Sequence, residues 1–110
     1  MKLMTKALEN TLKKYPLYSQ DGKGNDAIVV AKFFFPWGNW TWYVLEGEPY
    51  EKDDGTMDWQ FYGYVVSEFP EYGYFTLSDL ESVKRGGIGV ERDRYFDKCK
   101  LSEVVEHVVY

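Results

Sequence analysis

The chain has 110 residues, a net charge of −5, 45% hydrophobic and 19% aromatic residues, and one cysteine. This length suits one domain with a modest core, so residues 1–110 are read as a single domain, and the apolar content excludes a disordered chain. No run approaches the ~20 apolar residues of a membrane helix, one cysteine excludes an internal disulfide, and Met1–Asn10 lacks the apolar segment of a secretory signal, so the expected location is the cytoplasm, away from membranes.

Met4, Ala7, Leu8, Leu12 and Tyr15 recur at helical spacing, which predicts a helix over 3–15 that Pro16 stops. Ser19–Asp26 carries no apolar residue and reads as a loop. Ala27–Phe35, β-branched and aromatic on both faces, predicts a covered central strand. Pro36-Trp37-Gly38-Asn39 supplies a turn, and Trp40–Leu45 returns as a second strand ended by Gly47-Glu48-Pro49. Asp53-Asp54-Gly55 is a further turn, followed by strands over Asp58–Val66 and Tyr72–Leu77. Ser78-Asp79-Leu80-Glu81 has the capping-box pattern and opens a short helix closed by Gly86-Gly87. Val90–Phe96 is a candidate fifth, edge strand. Leu101, Val104, Val105 and Val108 give a C-terminal helix one apolar face. The expected fold is α+β: an antiparallel four- to five-stranded meander with N-terminal, middle and C-terminal helices mainly on one face.

Seven of the eleven residues from Phe33 to Tyr43 are aromatic, and Trp59–Tyr64 adds a second block. Strand alternation puts Trp40, Trp42 and Val44 on one face and Thr41, Tyr43 and Leu45 on the other. It sets Trp59, Phe61 and Val65 against Gln60, Tyr62 and Tyr64. Cross-strand ring pairs account for many of these residues as sheet packing. Trp37, in a turn between proline and glycine, is harder to bury and is the leading contact residue. Tyrosine and tryptophan also suit half-wet sites that meet a ligand.

Charge is unevenly spread. Residues 46–81 carry ten acids and only Lys52, whereas residues 1–45 have net charge +3 and residues 82–110 net +1. A solvated surface is the simple explanation; the alternative is a patch that attracts basic partners and repels nucleic acid. Aromatic rings beside Glu46 and Glu48 suit a cationic or basic partner through cation–π contact and charge pairing. On Glu91–Arg94, alternating charges suit an edge strand, with Arg92 available to pair with a carboxylate near the rings. The candidate binding set is Trp37, Trp40, Trp42, Tyr43, Glu46, Glu48, Tyr62 and Arg92. No catalytic residue, metal or cofactor is expected. His107 and Cys99 are the only residues of their kinds, and in one helix would stand ~12 Å apart, too far for a ligand pair or a catalytic dyad.

Lys32–Tyr43, Glu46-Gly47-Glu48-Pro49, Phe61-Tyr62-Gly63, Glu71–Leu80 and Val90–Asp93 together resemble the small bacterial family catalogued as domain of unknown function 2958. The resemblance spans roughly Tyr15 to Val105, and the chain differs in a longer C-terminal end. It implies a bacterial cytoplasmic protein, often of plasmids, phages or other mobile elements, and so an accessory or counter-defence role. It implies no activity or catalytic residue. The leading expectation is a non-enzymatic interaction module that binds a protein partner, basic in character, through the aromatic hairpin and the acidic belt. The alternatives are a small-molecule or sugar-binding enzyme with Glu46 or Glu48 as acid/base, and an acidic DNA mimic that blocks a DNA-binding protein. Direct nucleic-acid binding is not expected, and the oligomeric state is left open.

Overall fold

A computed structural model describes residues 2–108, with side chains described as far as Val104. In chain order the elements are α1 (Lys6–Leu12), β1 (Ile28–Val29), β2 (Ala31–Phe34), β3 (Thr41–Glu51), β4 (Met57–Val66), β5 (Pro70–Thr76), α2 (Leu77–Ser82), β6 (Lys84–Arg85), β7 (Ile88–Gly89), β8 (Glu91–Arg92), β9 (Cys99–Lys100) and α3 (Leu101–Val108). Five strands form one antiparallel sheet in the order β5-β4-β3-β2-β8, with β1-β9 and β6-β7 as separate two-stranded ribbons. The fold is α+β, and its main meander follows from the short turns.

The sheet separates two cores. On one face α1 and α2 bring Leu8, Leu12 and Leu80 against Phe33, Trp42, Val44, Phe61 and Phe75. On the other face Leu101 of α3 closes over Val29, Tyr43, Leu45 and Tyr64. Two helices therefore share a face, and the third covers the opposite one. Phe33 and Phe61 are fully buried, each worth about 2 kcal/mol of transfer free energy.

Several local expectations change for identifiable reasons. The run Ala27–Phe35 is two strands, because Ile28 and Val29 pair with Lys100 and Cys99, whereas Ala31–Phe34 pair with β3. Strand β3 does not stop at Gly47-Glu48-Pro49; it runs to Glu51, paired throughout with β4 apart from one bulge. From Glu46 onward β2 is no longer beside it, so Pro49 removes no bond from a β2 ladder. The Gly47 amide instead donates to the Tyr15 carbonyl (2.9 Å), which docks the chain after α1 on the free side of β3.

The N-cap of α2 is Thr76 rather than Ser78. Thr76 and Asp79 form the reciprocal capping box. Ser78 is engaged elsewhere: its amide donates to Asp58 Oδ1 (3.1 Å) and its hydroxyl to Asp58 Oδ2 (2.5 Å). Gly86 and Gly87, both at positive φ, turn the β6–β7 hairpin. The edge strand expected over Val90–Phe96 narrows to β8, paired with Phe33 and Phe34 of β2. N-terminally, the helix spans Lys6–Leu12, capped by the Thr5 hydroxyl. His107, Val105 and Val108 lie outside the described side chains. No described helix is long and apolar enough to cross a membrane.

Candidate functional site

The bulge between Val44 and Glu46 decides where the acids of β3 point. Strict alternation would put Glu46 beside Trp42 and Val44. The extra residue, Leu45, resets the period, so Glu46 pairs with Tyr62 and Glu48 with Gln60, on the opposite face. There Glu46 is buried and accepts the amides of Tyr18 and Gln20, both at 2.8 Å. Exposed Glu48 accepts the Leu17 amide at 3.0 Å. The Gln20 side chain completes the clamp, donating to the carbonyls of Ile28 (2.8 Å) and Leu45 (2.7 Å) and accepting the Ile28 amide (2.6 Å). Tyr18 consequently takes φ 72°, a left-handed conformation that a tyrosine adopts only under such constraint.

Glu46 thus anchors the polar loop that leads from α1 to β1. Above it, Gln20, Asp21, Glu46, Tyr62 and Tyr72 line a cleft of about 230 Å³. Around this cleft lies a feature the alternation count passed over. The sequence contains Tyr62-Gly63-Tyr64 and Tyr72-Gly73-Tyr74, and β4 and β5 pair them antiparallel: Tyr62 with Tyr74, Gly63 with Gly73, Tyr64 with Tyr72. Four tyrosines therefore share one face. Tyr62 lies 4.9 Å from Tyr74 and 6.2 Å from Tyr72, and Tyr64 lies 5.2 Å from Tyr72, measured between ring centroids. Tyr72 donates its hydroxyl to Asn25 (3.3 Å). The Tyr74 hydroxyl's pKa is raised, first by a hydrogen bond with Tyr18. Burial raises the pKa of Tyr62, reinforced by Tyr72, Glu46 and Asp21, and burial followed by Tyr72 raises that of Tyr64. These hydroxyls stay neutral at physiological pH and can donate hydrogen bonds. The repeated Tyr-Gly-Tyr was the legible signal for Tyr18's neighbours; Tyr18 itself had none.

The eight residues expected to bind do not form one surface. Trp37 (54% exposed) and Trp40 (47%) stand at the β2–β3 turn, whereas Trp42 (6%) and Tyr43 (4%) belong to opposite cores. Trp40 leans on Trp42 at 5.7 Å, so one ring is the rim of what the other fills. Trp37 was expected among acids, but a cation occupies its face: the Arg85 guanidinium lies 6.0 Å from the ring centroid. Arg85 reaches it from the β6–β7 hairpin, which is remote in sequence. Arg92 is half-buried on β8, opposite Phe33, three strands or about 14 Å from the Tyr62 strand.

Asp58 is the second buried acid. Burial alone would raise its pKa, but hydrogen bonds from the Ser78 hydroxyl, the Trp59 and Ser78 amides and the Tyr50 hydroxyl bring it below the ordinary value. At the β3–β4 turn, Asp54 is also lowered, first by the Thr56 hydroxyl, which donates to it at 2.6 Å. Cys99 is half-buried in β9, and burial followed by Glu103 raises its thiol pKa, the reverse of a reactive thiolate. Among the described residues no three His, Cys, Asp or Glu side chains gather to hold a metal ion.

No curated protein and no solved structure matches the chain. A family model described as "Protein of unknown function (DUF2958)" matches residues 3–108.

Proposed function

The chain belongs to the DUF2958 family, and from that premise we propose that it is an interaction module that binds a protein partner through its exposed aromatic surface. The observation that carries this reading is the tyrosine ladder of β4 and β5. Tyr72, Tyr74 and the strained Tyr18 are exposed, yet ring contacts, hydroxyl bonds and the Glu46 clamp hold them in place. A rigid surface of tyrosines offers contact area at low entropic cost, which is how protein-binding faces are commonly built. Trp37 and Trp40 add a second exposed aromatic pair at the β2–β3 turn. The exposed acids Glu48, Glu68 and Glu71 favour a basic partner. The mobile-element context implied by the family resemblance extends the proposal: the partner is a host protein, met in the bacterial cytoplasm.

The carboxylates with displaced pKa values, Asp54 and Asp58, are both lowered. A general acid working near neutrality needs the opposite shift, so they support no glycosidase-like chemistry. Glu46, one of the two candidate acid/base residues, is occupied by two backbone amides. The DNA-mimic reading loses Glu46 and Asp58, which are buried, from its charge array.

The test is capture from a bacterial host lysate on immobilised protein, with wild type compared against Tyr72→Ala/Tyr74→Ala and against Asp53→Asn/Asp54→Asn. The expected result is one host protein retained by the wild type and the Asp variant and lost by the tyrosine variant. Equal retention by all three overturns the assignment of this surface.

A further inference from the structure

Gly63 and Gly73 face each other, but only one has a packing reason to be glycine. A Cβ on Gly63 would stand 2.0 Å from the Tyr43 carbonyl oxygen. A Cβ on Gly73 would meet nothing within 4 Å, and its φ is not in the left-handed region. Glycine weakens a strand interior, and one without a local reason marks a place that another backbone or side chain approaches. Gly73 is also at the middle of a sheet edge. Strand β5 ends the sheet, and among the described residues no backbone hydrogen bond closes its outer side.

The two edges of the sheet differ. Strand β8 is two residues of charged sequence, Glu91 and Arg92, a form that discourages further pairing. Strand β5 is seven residues long, and Pro70 and Glu71 blunt only its start; Tyr72-Gly73-Tyr74-Phe75 carries neither charge nor proline. Residues 67–83 around it contain four acids, Glu68, Glu71, Asp79 and Glu81, all exposed, and no Lys or Arg.

We propose that the outer edge of β5 is a strand-docking site, on which an extended basic segment of a partner protein adds as a sixth strand with a bulky apolar side chain over Gly73. The inference rests on the interaction-module reading and names the class of partner. Backbone pairing supplies affinity, and alternate side chains supply selectivity. On one face, Lys or Arg residues of the partner lie over the exposed rings of Tyr72 and Tyr74. On the other face, the residue between them fills the open space at Gly73, beside Glu71. A second copy of this chain is a poorer occupant, because it would bring the same four acids against themselves.

The probe is a capped peptide long enough to span β5, with a central Phe, Lys and Arg at the positions flanking it, and no proline. Binding is followed by amide chemical shifts and hydrogen exchange of the full chain. The expected result is protection of β5 amides, an affinity that falls with added salt, and about tenfold weaker binding when one ladder-forming peptide nitrogen is methylated. Gly73→Val separates docking from fold: it should leave the chain as stable or more stable, yet weaken the peptide about tenfold. Equal binding by the valine variant, equal binding of a Glu-substituted peptide, or shifts confined to Trp37 and Trp40 would each overturn the proposal. A concentration-dependent dimer through β5 would also overturn it, in favour of a second copy. Failure here with host-protein capture still lost in Tyr72→Ala/Tyr74→Ala leaves the interaction module standing; loss of neither removes both.

Discussion

Tyr62-Gly63-Tyr64 and Tyr72-Gly73-Tyr74 are the same tripeptide placed ten residues apart, and the fold treats them oppositely. On β4, which has a neighbour on each side, the rings are half-buried or buried and the glycine is pressed against a carbonyl. On β5, which has one neighbour, the rings are exposed and the glycine borders open space. Identical local chemistry thus becomes packing or surface according to what the sheet places beside it. Other pairs repeat the contrast: Trp42 against Trp40, Glu46 against Glu48, Asp58 against Asp54.

The two glycines should differ most. Gly63→Ala should cost roughly 4 kcal/mol or more, because the clash is with backbone that cannot turn aside, whereas Gly73→Ala should change stability by no more than about 1 kcal/mol, in the stabilising direction. Urea unfolding followed by tryptophan fluorescence measures both; equal losses would end the distinction. Next come the tryptophans. Trp42→Ala should cost about 3–5 kcal/mol by emptying a core position, and Trp40→Ala less than about 1 kcal/mol.

The glutamates follow. Glu46→Ala orphans the Tyr18 and Gln20 amides and should cost about 3 kcal/mol, releasing the loop before β1 in hydrogen exchange. Glu48→Ala, at the surface, should cost about 0.5 kcal/mol.

The smallest effect is a pH dependence. Asp58 is lowered in the folded chain, so its contribution is complete above the ordinary carboxylate pKa of about 3.9 and is lost as pH falls through the folded value. Asp58→Asn should flatten the acid limb of the stability profile over that range. At the alkaline end, raised tyrosine pKa values act with the opposite sign: stability is complete below about pH 10 and declines as pH rises through the folded values. An ultraviolet titration should show Tyr62, Tyr64 and Tyr74 ionising above the ordinary tyrosine value of about 10, and Tyr62→Phe should remove part of that delay.

Much of the ladder was legible. Pro36–Asn39 and Asp53–Gly55 mark real turns, and alternation assigned Trp59 and Phe61 to one face and Tyr62 and Tyr64 to the other. The candidate site was less so. A single inserted residue at Leu45 moved Glu46 across the sheet and into a buried clamp, and β-bulges leave no pattern that alternation can count. The α2 cap went to Thr76 because Ser78 had a better partner, an aspartate twenty residues earlier. Trp37 met a guanidinium rather than a carboxylate because Arg85, remote in sequence, folds back over it.

Local pattern encodes the antiparallel ladder, its turns and the two-faced strands, because side-chain alternation and turn chemistry act between near neighbours. It also carried the family signature. Which rings are core and which are surface, the anchoring role of Glu46 and the open edge at Gly73 emerge from the packed fold. Those properties depend on whether another strand, loop or helix lies alongside, and that is a matter of long-range pairing rather than of local pattern.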